Sequence, residues 1–175
     1  MFIKHRDYIL RKLVVSDASS LFKNYKSNFS CAKYISSDPH TNIEQTQKLI
    51  NKCLSDYITN NPVSLKFAVV EPKSNEVIGL LVFVFNDKFS EIHFGLSNNF
   101  SGRGIATSIC HEGVRWLKKR GIKNIRTQPY FKHHASLRVL EKCGFKNHGV
   151  LQGFCNFPQL GENKQNCMDM RIEFK

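Results

Sequence analysis

The sequence predicts an α+β fold: a mixed, mostly antiparallel sheet of about seven strands flanked by about four helices. Three observations carry this. Strand-like segments at 65–70, 77–85 and 89–96 follow one another through short polar turns, which favours an antiparallel meander. A glycine-led helical pattern at 105–119 then separates strand 89–96 from another at 122–127, as a β-α-β crossover requires. Two further strand segments, 145–153 and 168–174, close the chain.

In order, Asp7 to Val14 reads as the first strand, with Tyr8, Leu10 and Leu13 turned inward. Ser16-Asp17 supplies an N-cap, after which Ala18, Leu21, Phe22 and Tyr25 recur at helical spacing. The chain turns at 36–40. Thr41 and Glu44 have capping-box spacing for a second helix carrying Ile43, Leu49, Ile50, Cys53 and Leu54, which Asn60-Asn61-Pro62 ends. After the meander, Ile105, Ile109, Gly113, Trp116 and Leu117 keep one face of the third helix. Residues 134–143 form a short fourth helix with Leu137, Val139 and Leu140 as core candidates and Gly144 at its C′ position. Segment 154–166 is the longest connection, which marks it as a functional or interface loop.

At 175 residues the chain is read as one domain, 1–175, with its core at about 7–174. No apolar run approaches membrane-spanning length and Met1–Arg6 lacks a signal-peptide core, so a cytoplasmic protein is expected. The six cysteines, at 31, 53, 110, 143, 155 and 167, show no C-x-x-C spacing and read as free thiols. No acidic and histidine residues recur at metal-ligand spacing, and no metal is expected. The charge of +12, from 26 Lys plus Arg against 14 Asp plus Glu, suits nucleic acid, a ribosomal surface or a phosphorylated cofactor. Its basic residues are scattered and select none of these.

The most specific segment is Phe100-Ser101-Gly102-Arg103-Gly104-Ile105-Ala106-Thr107. Strand, glycine turn and helix start together aim unpaired N–H groups at one point, where the helix dipole adds positive charge. Phosphate oxygens, here most simply a diphosphate, bind such a point. The segment is not a P-loop, since Ile105-Ala106 follows Gly104. Nor is it a dinucleotide fingerprint, since position 107 is Thr.

Together with Ser136-Leu137-Arg138-Val139-Leu140-Glu141-Lys142-Cys143-Gly144-Phe145, the segment Ser101–Thr107 resembles the GNAT superfamily of acyl-CoA-dependent N-acetyltransferases. Tyr8–Leu13, Ser16-Asp17-Ala18, Phe157-Pro158-Gln159-Leu160-Gly161 and Asp169 resemble the branch containing the bacterial ribosomal-protein N-terminal acetyltransferases. The resemblance implies a sheet that splays at strand 89–96, with acetyl-CoA in the gap. It places the pyrophosphate on Ser101, Gly102, Arg103, Gly104, Ile105, Ala106 and Thr107, and pantetheine beside Leu96, Ser97 and Asn98. Arg103 reads equally as a phosphate partner or as a solvated residue of the helix start. The chain departs from the family pattern at Asn99, usually Gln or Arg, and at His133, where the family has Asn in Asn-x-x-Ser.

The implied reaction is direct attack of a primary amine on the thioester, which needs proton removal, an oxyanion donor and help for the leaving thiolate. The donor is expected around Leu96. Glu91 is the first candidate for general base, through water, in an apolar context where desolvation raises a carboxyl pKa. A rim carboxylate is the alternative. His93 shares its parity and can share or replace that role. Ser136 is the candidate to protonate the thiolate or bond the cofactor, or else is a local cap. The acceptor is expected to be a protein N-terminus or a small amine, met by residues 15–40, the 86–90 turn and loop 154–166, with Asp17, Asp38 and Glu44 as available acids. Two alternatives keep the fold without turnover. One is a basic RNA- or ribosome-binding module using Tyr130-Phe131-Lys132-His133-His134; the other is a CoA-binding regulator. Monomer and homodimer both remain open.

Overall fold

Near-continuous apolar runs in 65–70 and 77–85 let these strands bury both faces, and the helices sort to one face or the other. The computed structural model describes residues 1–175. Eight strands form one sheet: β1 (Ile3–Lys4), β2 (Ile9–Lys12), β3 (Ser64–Val70), β4 (Val77–Phe85), β5 (Ser90–Leu96), β6 (Asn124–Thr127), β7 (Lys146–Cys155) and β8 (Gln165–Glu173). Their spatial order is β1-β2-β3-β4-β5-β6-β8-β7, antiparallel throughout except for β5–β6. The helices are α1 (Ala18–Leu21), α2 (Phe29–Ala32), α3 (Ile43–Asp56), α4 (Ile105–Lys119) and α5 (His134–Lys142).

On one face Phe67, Leu81, Phe83, Ile92 and Ile125 pack with Ile109 and Leu117 of α4 and Leu140 of α5. Trp116 stacks on Phe83 at 4.9 Å between ring centroids. Burying each of these large side chains contributes roughly 2 kcal/mol. The approach of α4 depends on Gly113, where a Cβ would stand 2.7 Å from Ile92 Cδ1. On the other face Ala68, Val70 and Leu80 pack with Leu21, Tyr25, Ile50 and Cys53. None of the helices is long and apolar enough to cross a membrane.

Several local expectations are corrected. The N-terminal strand spans Ile9–Lys12 and is preceded by β1, so the sheet has eight strands rather than seven. The helical region after Asp17 is broken into a 3-10 turn at Val15–Asp17, one turn of α1, a wide π turn at Phe22–Lys26, and α2. The capping box of α3 sits one residue later than Thr41–Glu44. Asn42 accepts from the Gln45 N–H, and Gln45 Oε1 accepts from the Thr41 N–H. Connection 154–166 shrinks because β7 runs to Cys155 and β8 starts at Gln165. Gly144 does end α5: the Gly144 and Phe145 N–H groups bond Glu141 O and Leu140 O, a Schellman closure.

What positions the site is the break between β5 and β6. They pair only at Ser90↔Ile125 and Glu91↔Arg126. Beyond that row the chain after β6 follows β8 instead: Pro129 O accepts from the Met168 N–H and Tyr130 bridges Cys167. Pro129 has no N–H to give any ladder. Ile92 to Leu96 therefore have a strand on one side only.

Candidate active site

The phase of the β5 ladder decides which amides face the gap. Ser97 donates its N–H to Ile78 O at 2.7 Å, continuing the β4–β5 register. Because bonding alternates in antiparallel pairs, residues 91, 93, 95 and 97 bond to β4, while Ile92, Phe94 and Leu96 turn their backbone groups into the splay. The Leu96 amide thus faces the gap. Ser97, expected beside the cofactor, has its N–H committed to β4 and is buried. Asn98 uses its side-chain amide to donate to Ser30 Oγ at 2.7 Å.

Below Leu96 lies the glycine turn. Gly102 (φ 76°) and Gly104 (φ 77°) take left-handed conformations, and a Cβ at either would meet nothing within 4 Å. Helix α4 starts after Gly104, its first bond running from the Ser108 N–H to Gly104 O. Ser101 gives its N–H to Asn98 O. The N–H groups of Gly102, Arg103, Gly104, Ile105, Ala106 and Thr107 have no protein acceptor, so six successive donors converge at a helix N-terminus. The residues present fit a diphosphate there. The Arg103 guanidinium lies over the Phe100 ring at 5.0 Å rather than reaching across the turn. The Cys143 thiol donates to Thr107 O at 3.5 Å and ties the end of α5 to this cradle.

His133 caps the start of helix α5, and Ser136 lies in its first turn. Ser136 is half-buried and makes no side-chain hydrogen bond. His133 packs on Tyr34 at 4.1 Å, and Tyr34 stacks on Tyr130 at 5.4 Å. Burial, with Lys33 and His134 adding to it, lowers the His133 pKa to about 4, so the imidazole is neutral at pH 7. The predicted aromatic-basic cluster at 130–134 is therefore divided, with Tyr130 and His133 engaged by Tyr34.

Glu91 and His93 share the face of β5 away from α4, and His93 Nε2 lies 2.9 Å from Glu91 Oε2. The Glu91 side chain is 26% exposed and that of His93 44%, so the carboxylate is reached by water rather than enclosed by apolar neighbours. Elsewhere, Gln159 donates to Asp38 Oδ1 at 3.1 Å, joining the 36–40 turn to the 156–161 connection. Asp17 is not available to an acceptor. It is buried, bidentate with Arg11 at 2.7 and 2.8 Å, and accepts from the Val14 N–H. Glu44 is exposed in the first turn of α3. No group of three His, Cys, Asp or Glu side chains is placed to hold a metal ion.

Four residues of the cleft were not legible as such. Tyr25 is buried with its hydroxyl over Gly95, and burial raises its pKa. The Cys31 thiol, also raised by burial, donates to Leu96 O at 3.9 Å. Tyr34 and Tyr130 form the stack described above. Tyr25 carried only a helical-core signal and Cys31 only that of an apolar filler. Their place beside β5 is set by the π turn and α2.

Comparison with known proteins agrees with this geometry. The acetyltransferase (GNAT) domain model matches residues 7–146. A search of curated proteins found no match. Among solved structures, the chain is similar to a GNAT-family acetyltransferase from Bacillus anthracis, at 22% identity and TM-score 0.81 over 99% of this chain and 98% of that one. It is also similar to the ribosomal-protein-S5-alanine acetyltransferase from Vibrio fischeri, at 16% identity and TM-score 0.87 over 99% and 96%. A third is the spermidine N-acetyltransferase from Vibrio cholerae, solved with CoA and spermine, at 17% identity and TM-score 0.78 over 97% and 96%. With the family model covering most of its length, a splayed β5 and a glycine-led α4, the chain belongs to the GNAT acetyltransferase family.

Proposed function

We propose that the protein transfers an acetyl group from acetyl-CoA to a primary amine, a protein N-terminus or a small amine, by direct attack and as one domain. The observation that carries this is the set of six unpaired amides, Gly102 to Thr107, beside a strand with one open edge. The diphosphate of acetyl-CoA suits the cradle, and its pantetheine amides suit the gap-facing backbone of Phe94 and Leu96, as an added strand would. The structural neighbour bound to CoA supports the same reading.

On this reading acetyl-CoA supplies the thioester, and the chain's own groups do the rest. The Leu96 N–H holds the charge that develops on the thioester oxygen. Glu91, hydrogen-bonded to His93, takes the ammonium proton through water, so that the amine is neutral when it attacks. Ser136, with no competing protein partner, donates toward the departing sulfur. Neutral His133 fills the place of the family's Asn and offers one ring N–H to the cofactor. No cysteine is given a nucleophilic role, because amine attack needs no acyl-enzyme.

The test is thiol release from acetyl-CoA in the presence of amine-bearing peptides and small amines, with Glu91→Gln beside the wild type. Turnover in the variant is expected to fall by about 10²-fold or more with acetyl-CoA affinity retained. Unchanged turnover removes Glu91 from the reaction. Cofactor binding with no acceptor acetylated leaves a CoA-binding regulator.

A further inference from the structure

Resting on the reaction proposed above, we infer that the acceptor amine is the end of an acidic chain segment, held by a basic groove on the sheet face that carries Glu91. The cross-strand register builds this groove. One row across the sheet reads Lys66↔Val82↔His93, and the next reads Ser64↔Val84↔Glu91↔Arg126↔Arg171↔Lys146. Helices α1 and α3 cover this face as far as the row Ala68↔Leu80↔Gly95, where the Tyr25 hydroxyl sits. Beyond it, His93 is exposed, and Lys66, Val82, Val84, Glu91 and Arg126 are half-buried.

The charges in these rows are unbalanced. Arg126, Arg171 and Lys146 stand side by side on three adjacent strands, an arrangement that like-charge repulsion disfavours. Two carboxylates, Asp169 and the exposed Glu173, lie on this face of β8 on either side of Arg171, against the three cations of the row. Arg171 holds Asp169 with two nitrogens, and this keeps that carboxyl below the usual carboxylate range. Arg126 lies over the Phe89 ring at 4.5 Å and makes no ion pair, and Lys146 makes none either. On the other flank, burial and the nearby Lys66 charge lower the pKa of Lys26, while Lys66 donates only to Ser64 Oγ. Cations therefore flank Glu91 on both sides, and the one carboxylate between them is bonded to His93.

Distance fixes how a ligand would lie. Neighbouring strands are about 4.8 Å apart, so Arg126, Arg171 and Lys146 lie about 5, 10 and 14 Å from the Glu91 strand. An extended chain advances about 3.4 Å per residue. Leu96 lies five residues along β5 from Glu91, about 17 Å away, so an acceptor whose amine meets the thioester there runs its first residues along β5 and places roughly the next four over the three cations. Acidic side chains there relieve the repulsion, whereas a polyamine adds to it.

The experiment uses C-terminally labelled peptides that share a free N-terminal serine and differ only in whether the following residues are acidic, neutral or basic. Binding is read by fluorescence anisotropy with CoA present, and acetylation by thiol release. The acidic peptide is expected to bind about tenfold or more tighter than the neutral one, with the preference shrinking as salt rises. Arg126→Gln and Lys146→Gln each lose about threefold to fivefold of that preference, and Lys119→Gln, on the opposite face, loses none. Equal affinity across the charge series in the wild type overturns the inference. So does displacement of the acidic peptide by single-stranded oligouridylate that binds tighter than the peptide does. Acidic-peptide binding without acetylation leaves the groove and sinks the reaction. Acetylation indifferent to peptide charge does the reverse.

Discussion

Gly95→Ala tests how tightly the splayed strand is held. A Cβ at residue 95 would stand 1.9 Å from Tyr25 Oη and 2.8 Å from Cζ, where ordinary contact begins at 3.4 Å. The overlap with the hydroxyl is therefore about 1.5 Å, and Tyr25, at 7% exposure, has packed neighbours on its other sides. Overpacking of this kind costs about 1–3 kcal/mol. Replacing glycine within a strand returns up to about 1 kcal/mol through the unfolded chain. The net loss is about 1–2 kcal/mol, which lowers the melting temperature by about 3–6 °C for a chain of this size. Tyr25→Phe removes the 1.9 Å contact but leaves the one at 2.8 Å, so the double variant recovers part of the loss. Thermal melts of the wild type, both single variants and the double variant form a cycle with nonzero coupling. If Gly95→Ala melts at or above the wild type, or the two changes simply add, Tyr25 does not brace β5 as described. Acetyl-CoA affinity is expected to fall in the same variant, because Leu96 moves with its neighbour.

Two further outcomes follow from the charged groups. The folded-state pKa of His133 is depressed from 6.5 to about 4, so the unfolded chain binds more protons between those values; this stability is complete above pH 6.5 and is lost as pH falls toward 4. His133→Asn should flatten the unfolding free energy over that window, and a slope equal to that of the wild type would contradict the assignment. Asp17→Asn breaks a buried bidentate pair and an N–H acceptor at once, and should cost about 3 kcal/mol in chemical denaturation. Turnover per folded molecule should be unchanged, and a selective loss of acceptor affinity would return Asp17 to the site.

How much of this was legible depended on whether the signal was local. The meander was, because three apolar strand segments close in sequence and joined by two short polar turns leave little choice of pairing. Gly102, Gly104 and Gly144 were legible because left-handed backbone at a helix boundary needs glycine. Strand β7 was cut short because its outer residues from Lys146 to Gly153 are nearly all exposed and lack an apolar rhythm, while Gly149 and Gly153 resemble turn residues. Asp17 was misassigned because its partner Arg11 lies on another element, and spacing alone does not separate a cap from an ion pair. Ser97 differs from Leu96 only in ladder phase, which a single hydrogen bond to Ile78 decides. Tyr25 and Cys31 reach β5 through a π turn and the short α2, which no periodicity announces.

The central claim is that the six unpaired amides of the glycine turn hold the diphosphate of acetyl-CoA. Calorimetric titration of acetyl-CoA into the wild type and into Gly102→Glu tests it most directly, with circular dichroism to confirm that both are folded. A Cβ at residue 102 meets no atom within 4 Å, so the variant bears only the left-handed backbone cost of about 1–2 kcal/mol and remains folded. Its carboxylate stands among donors meant for phosphate. Micromolar binding by the wild type, weakened by about 100-fold or more in the variant, is the predicted result. Equal binding by the two folded proteins, or none by the wild type, would contradict the account.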